Sequence, residues 1–163
     1  MERKLLEMAR EATKNSFAPF SNFHVGAALL AKDGQIFTGC NVENSSYGVT
    51  ICAERTALVK AVSEGVRDFA AIAVVSQEGE AWPCGVCRQM LYEFSPEMLV
   101  ITGTEDAMQI VSLSDLLPHG FRLDRYQRRN NEVRIYRDHW SSQRGKIHAD
   151  ERHPGRKDCN YYQ

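Results

Sequence analysis

Cys52-Ala53-Glu54, followed at a distance by Pro83-Cys84-Gly85-Val86-Cys87, constrains this chain more than any other feature. Three thiolates that serve one ion must be brought together, so the segments opening at Cys52 and at Cys84 have to converge. Zinc takes four ligands, and three from protein leave a place for water, which separates catalytic from closed structural sites. Glu54 is two residues from Cys52, near enough to share a helix start yet facing elsewhere, so it can serve that water rather than the metal. Cys84 and Cys87 are three apart and project to one side of a helical first turn. The partial positive charge at the two helix N-termini favours the thiolate forms. Three thiolates and one Zn²⁺ leave about one net negative charge, which weakens the metal as a Lewis acid. Arg55 or Arg88 is placed to relieve it by hydrogen-bonding a cysteine sulfur.

Two other readings compete for these cysteines. A redox pair is disfavoured by the third cysteine and the adjacent glutamate. A structural zinc site wants a fourth ligand, and residues 1–121 hold no second paired motif. His24 and His119 each stand alone.

At 163 residues, 43% hydrophobic and 25% charged, the chain reads as one globular domain able to bury a core without disulfides. No apolar run approaches the roughly 20 residues needed to cross a bilayer. The charged start Met1-Glu2-Arg3-Lys4 lacks the apolar core of a secretory signal, so a reducing, cytoplasmic setting is expected. Residues 1–121 carry 9 Lys and Arg against 15 Asp and Glu, whereas residues 122–163 carry 11 against 6. An acidic body disfavours long nucleic acid as a partner.

Helical spacing of Leu5, Leu6, Met8, Ala9 and Ala12 predicts a helix over 3–15. Val25 to Leu30 and Gln35 to Asn41 read as a hairpin turned at Lys32-Asp33-Gly34. A polar loop over 43–50 precedes a helix over 53–64 that ends at Gly65. Ala70 to Val75 is apolar throughout, the pattern of a strand covered on both faces. A helix over 84–95, strands at Leu99 to Thr102 and Ile110 to Leu113, and a short helix at Ser114 to Leu117 follow. Cys40 is expected to be a small buried strand residue. A hairpin followed by helix–strand alternation implies an α/β fold with a mixed sheet.

The two cysteine motifs, together with Phe23-His24-Val25-Gly26-Ala27-Ala28-Leu29-Leu30, Gly39-Cys40-Asn41-Val42-Glu43-Asn44 and Leu116-Leu117-Pro118, resemble the small free-nucleoside cytidine deaminases over roughly residues 5–123. The resemblance implies a three-layer α/β/α sandwich with a mixed, about five-stranded central sheet. It implies one zinc per subunit on Cys52, Cys84 and Cys87, with Arg55 compensating charge. Cytidine and deoxycytidine would be hydrolysed to uridine and deoxyuridine with release of ammonia, as in pyrimidine salvage, with Glu54 shuttling the protons. Phe23 is expected to stack on the base. Asn41 and Glu43, flanking Val42 at the strand end, are expected to hydrogen-bond the ribose, and backbone groups around Ala53 and Cys84 to read the base edge. A carboxylate at position 43 would repel a 5′-phosphate, which favours a nucleoside over a nucleotide. The resemblance also implies a homotetramer in which Tyr47 and Phe121 act across subunit junctions.

The family normally stops soon after the Leu-Leu-Pro segment, whereas this chain continues over 124–163. That stretch is expected to be a flexible basic extension, dispensable for deamination, and nucleic acid is not an expected partner. The other class of function considered is a zinc-stabilised binding module whose tail recruits RNA. The intact Glu54 favours the hydrolase, because a structural fold has no use for a carboxylate beside the metal.

Overall fold

Residues 1–123 are described in the computed structural model, and the expected basic extension, 124–163, lies outside the described residues. Helix α1, Glu2–Thr13, forms where the leucines and alanines recur at helical spacing, and it buries Leu5, Leu6 and Ala9 completely or nearly so. The chain then runs through a loop into the hairpin of β1, Val25–Ala31, and β2, Ile36–Cys40. Gly34 sits at φ +93° in the connecting turn, a conformation only glycine adopts without strain. The Asp33 carboxylate accepts the Gln35 N–H at 3.0 Å and closes that turn.

A single turn of 3-10 helix, Tyr47–Val49, interrupts the polar loop. Helix α2, Ala53–Ser63, follows, then β3, Phe69–Ser76, the two-residue β4, Gly79–Glu80, and helix α3, Gly85–Phe94. Strands β5, Leu99–Gly103, and β6, Met108–Ser112, and a four-residue helix α4, Leu113–Leu116, complete the described part. Strand order is β2-β1-β3-β5-β6, with β4 paired to β3. Only the β3–β5 pair is parallel, so the sheet is mixed.

Helices cover both faces. On one side Leu5, Leu6 and Ala9 of α1 pack on Ala28, Ala71, Ala73, Val75 and Ile101. On the other, Ala53, Ala57, Leu58 and Ala61 of α2 and Leu91 of α3 pack on Ala27, Leu29, Phe37, Ile72, Val74 and Val100. Alternate residues of β3 therefore feed two different cores, which is why its sequence is apolar without a break. The architecture is the expected three-layer sandwich, with the sheet reaching six strands because β4 adds to it.

Several local expectations shift. The last strand begins at Met108 rather than Ile110, and Leu113 already belongs to α4, whose start is capped by the Ser112 hydroxyl accepting from the Asp115 N–H. Cys40 is only half-buried at the strand end, and its thiol donates to the Asn15 carbonyl at 3.3 Å. Neither β4 nor the 3-10 turn has a pattern long enough for periodicity to reveal it.

Candidate metal centre and active site

Helices usually open on Ser, Thr, Asp or Asn, whose side chain satisfies a free N–H of the first turn. Here Cys52 is the residue capping α2 and Cys84 the residue capping α3, and neither side chain makes a capping bond. Their backbones are extended, and the helices are entered through the carbonyls, Cys52 O accepting the Thr56 N–H at 3.0 Å and Cys84 O the Arg88 N–H at 2.9 Å. The thiols are thereby released to face each other. Cys87 then comes in from the first turn of α3.

The sulfurs of Cys52, Cys84 and Cys87 all lie within 4.8 Å of one another. Cys52 Sγ is 4.0 Å from Cys84 Sγ, which is 3.6 Å from Cys87 Sγ. A tetrahedral zinc with bonds of about 2.3 Å sets its sulfur ligands roughly 3.8 Å apart, so these spacings suit that ion. They are too long for a disulfide, which needs about 2.05 Å. Cys87 is buried, Cys52 half-buried and Cys84 exposed, so the cluster has one dry wall and one open side. No histidine joins it among the described residues.

Electrostatics favour a cation there. Cys52 is held down at about 5, chiefly because Cys87 hydrogen-bonds its thiolate; burial opposes this, and Arg55 adds a hydrogen bond and a positive charge. Cys87 is pushed well up, first by that same bond to Cys52 and then by burial and the Glu54 charge. Thiolates this close repel, so a full set of three needs a dication to balance it.

Glu54 is only 3% exposed, behind the cluster. Burial raises its carboxyl to about 6, against the pull of its own backbone N–H; the neighbouring Cys52 charge pushes it further up. A carboxylate poised near neutrality can both take and return a proton. Arg55 Nη2 donates to Thr50 O at 2.8 Å and lies 3.8 Å from Cys52 Sγ. Burial works against its charge, but the hydrogen bond and charge of Cys52 outweigh it, and its pKa is raised. Arg88 does something else. Its Nε donates to Pro83 O at 2.7 Å and its Nη1 to Leu116 O at 2.8 Å, so it ties the loop before Cys84 to α4. Of the two arginines, Arg55 is the one that meets a cysteine sulfur.

A second group lies where β2 runs out. Glu43 accepts the Phe20 N–H at 2.8 Å and the Ser21 N–H at 3.2 Å through Oε2, and the Ser21 hydroxyl through Oε1. The Ser21 hydroxyl is the foremost of the contacts that lower its pKa. Asn41 Oδ1 accepts the Val25 N–H at 2.8 Å and the Ser16 hydroxyl, and its Nδ2 donates to Phe23 O at 2.8 Å. These two side chains thus clamp the segment that carries Phe23, a residue that remains 46% exposed. Val42 connects the two groups: its N–H donates to Ile51 O at 2.9 Å and its carbonyl accepts the Ile51 N–H at 3.0 Å, one residue before Cys52.

Gly39 brings α2 against β2. A Cβ there would lie 2.4 Å from Ala57 N and 2.5 Å from Ala53 O. Ala53, fully buried, therefore rests directly on β2, the strand that runs up to Asn41. Tyr47 and Phe121 stand away in solvent; Tyr47 meets Phe20 edge-on with ring centroids 6.2 Å apart, and the Phe121 carbonyl accepts from Gln89 Nε2 at 2.8 Å. Sequence reasoning missed three supports. They are Ser21; Arg88 in its tie to Leu116; and buried Thr102, whose hydroxyl accepts the Ala81 N–H at 2.9 Å and donates to its carbonyl at 3.1 Å, fixing the approach to Cys84. A serine two residues before Phe23 in a turn is a local signal for a hydroxyl–backbone bond; the other two depend on tertiary contacts.

Comparison with known proteins agrees with this geometry. Residues 1–103 match the family model of the cytidine and deoxycytidylate deaminase zinc-binding region. A cytidine deaminase of Sporosarcina psychrophila is 47% identical over 121 residues, covering 72% of this chain and 89% of that one. The cytidine deaminase of Halalkalibacterium halodurans is 46% identical over 125 residues, covering 74% and 95%. The crystal structure of a cytidine deaminase from Burkholderia pseudomallei superposes with a TM-score of 0.70 at 47% identity, covering 74% of this chain and 99% of that one. The chain belongs to the family of zinc-binding cytidine and deoxycytidylate deaminases.

Proposed function

We propose that this protein hydrolyses cytidine and deoxycytidine to uridine and deoxyuridine with release of ammonia. The observation that carries the reading is Glu54, a carboxylate 3% exposed and raised to about 6 directly behind a three-thiol cluster. Cys52, Cys84 and Cys87 hold one zinc per subunit. When bound, zinc supplies Lewis acidity that lowers the pKa of water from 15.7 toward about 7. Glu54 takes a proton from the attacking water and delivers it to ring N3, which makes C4 electrophilic. It then moves the remaining water proton from the new C4 hydroxyl to the amine, and the C4–N bond breaks to release ammonia. Arg55 offsets the negative charge of the thiolates.

Phe23 stacks on the pyrimidine, and backbone groups at Ala53 and Cys84 read its edge. Asn41 and Glu43 hold the sugar, with the bridge at Val42 fixing their distance from Cys52. Hydrogen-bond counting supports this role. Asn41 Oδ1 has both lone pairs engaged, while Nδ2 keeps one N–H; Glu43 Oε2 is filled, while Oε1 keeps one acceptor site. One donor and one acceptor suit a single hydroxyl, which a sugar lacking the 2′-hydroxyl still provides. A second negative charge beside Glu43 is disfavoured, which selects nucleosides over nucleotides.

The protein works as a homotetramer in the cytoplasm, in pyrimidine salvage. Support for assembly comes from exposed apolar side chains, among them Phe17, Phe20, Tyr47, Val49 and Phe121, of which Phe20 and Tyr47 meet edge-on. No helix among the described residues is long and apolar enough to cross a membrane. Catalysis resides in residues 1–123, so a chain ending at Asp124 should keep the full turnover rate; its loss would refute that division. The decisive experiment is ultraviolet absorbance on mixing the zinc-loaded protein with cytidine, deoxycytidine and cytidine 5′-monophosphate. The first two should convert and the third should not.

A further inference from the structure

The side chain of Ser21 joins two parts of the pocket. Its hydroxyl donates to Glu43 Oε1, and the same oxygen accepts the Phe23 N–H at 3.0 Å. The next peptide group along is caught as well, since Phe23 O accepts from Asn41 Nδ2 at 2.8 Å. Between them, Asn22 is held at φ +56°, a left-handed conformation that asparagine tolerates better than most residues. Phe23 is therefore gripped by its backbone on both sides while its ring is left half in solvent. Among the described residues no other aromatic ring stacks on it, so the backbone grip sets its attitude.

We propose that Ser21 is a positioning residue that makes recognition of the sugar and stacking on the base a single event. The hydroxyl orients Glu43 Oε1, so that its remaining lone pair points to a sugar hydroxyl, and it fixes the Phe23 amide, so that the ring keeps its stacking attitude. A sugar hydroxyl thus meets a carboxylate already held in one orientation by Ser21 and by the Phe20 and Ser21 N–H groups. This rests on the nucleoside-hydrolysing role proposed above. Ser21 touches no reacting atom, so its contribution falls on binding in the ground and transition states alike.

The test uses the zinc-loaded full chain with Ser21→Ala, Ser21→Thr, Glu43→Ala and the Ser21→Ala/Glu43→Ala pair, assayed on cytidine with zinc content measured in each. Loss of a hydrogen bond to a charged group should raise KM about tenfold in Ser21→Ala, with kcat little changed. Ser21→Thr keeps the hydroxyl and should restore KM to near the parental value. In the double variant Ser21→Ala should cost less than it does alone, because the part carried through Glu43 is already gone while the part carried through the Phe23 amide remains. An unchanged KM in Ser21→Ala, a threonine variant as impaired as alanine, additive losses in the pair, or a fall in zinc content would each overturn the assignment. Absence of turnover by the parental chain would instead remove the underlying functional reading, and it would be seen in the first control.

Discussion

Glu54 owes its chemistry to its place. On a helix surface it would be an ordinary acid; buried beside the charge of Cys52, it rises toward neutrality. Glu54→Gln keeps size and hydrogen-bonding ability but cannot carry a proton. Its kcat should fall by about 10²–10⁴-fold or more, since general acid–base transfer is worth that much for one step and the proposed role spans several. Zinc content, read by elemental analysis, should stay at one per chain, and a glutamine variant with parental turnover would disprove the role. At this scale the sequence was informative wherever chemistry needs a particular atom type. The thiols and the carboxylate announce themselves by identity and spacing. The residues alone left both arginines open, Arg55 three places after Cys52 and Arg88 one place after Cys87, and only the resemblance pointed to Arg55. Only the folded positions of Thr50, Pro83 and Leu116 send one guanidinium to a thiol and the other to two carbonyls.

The elements were readable in proportion to their length. Ten-residue helices and the long apolar β3 show their period or their lack of one, whereas β4 and the 3-10 turn are shorter than any period. The close approach of α2 to β2 was also hidden: glycine in a strand reads as a weak residue until the helix backbone is seen against it. Replacing Gly39 by alanine would drive a methyl into Ala57 N and Ala53 O, backbone atoms that cannot swing aside. Overpacking of this kind costs about 1–3 kcal/mol, and here it also displaces the start of α2 with Cys52 and Glu54. Gly39→Ala should therefore lower both the urea midpoint and kcat. If Gly39→Ala lost stability but kept kcat, the strand would matter for folding alone.

Across the molecule, the exposed aromatic side chains are the feature a monomer explains least. Phe20 and Tyr47 stack edge to face outside the core, with Tyr47 78% exposed, and apolar surface of this kind usually awaits a partner. Light scattering coupled to size exclusion should give a mass four times the 18.5 kDa chain. Tyr47→Glu, which places a charge in the proposed junction, should shift the mass downward. A parental chain eluting at its own single mass would end the tetramer reading. The expectation of assembly came only from family likeness, since an exposed tyrosine in a sequence looks no different from a buried one. The thiol cluster, for its part, straddles two helix starts, one borne behind the hairpin and the other delivered past β3 and β4. A colorimetric dye that seizes escaping zinc would thus clock the parting of those two segments during denaturation. It offers a stopwatch for tertiary collapse that needs neither substrate nor tryptophan.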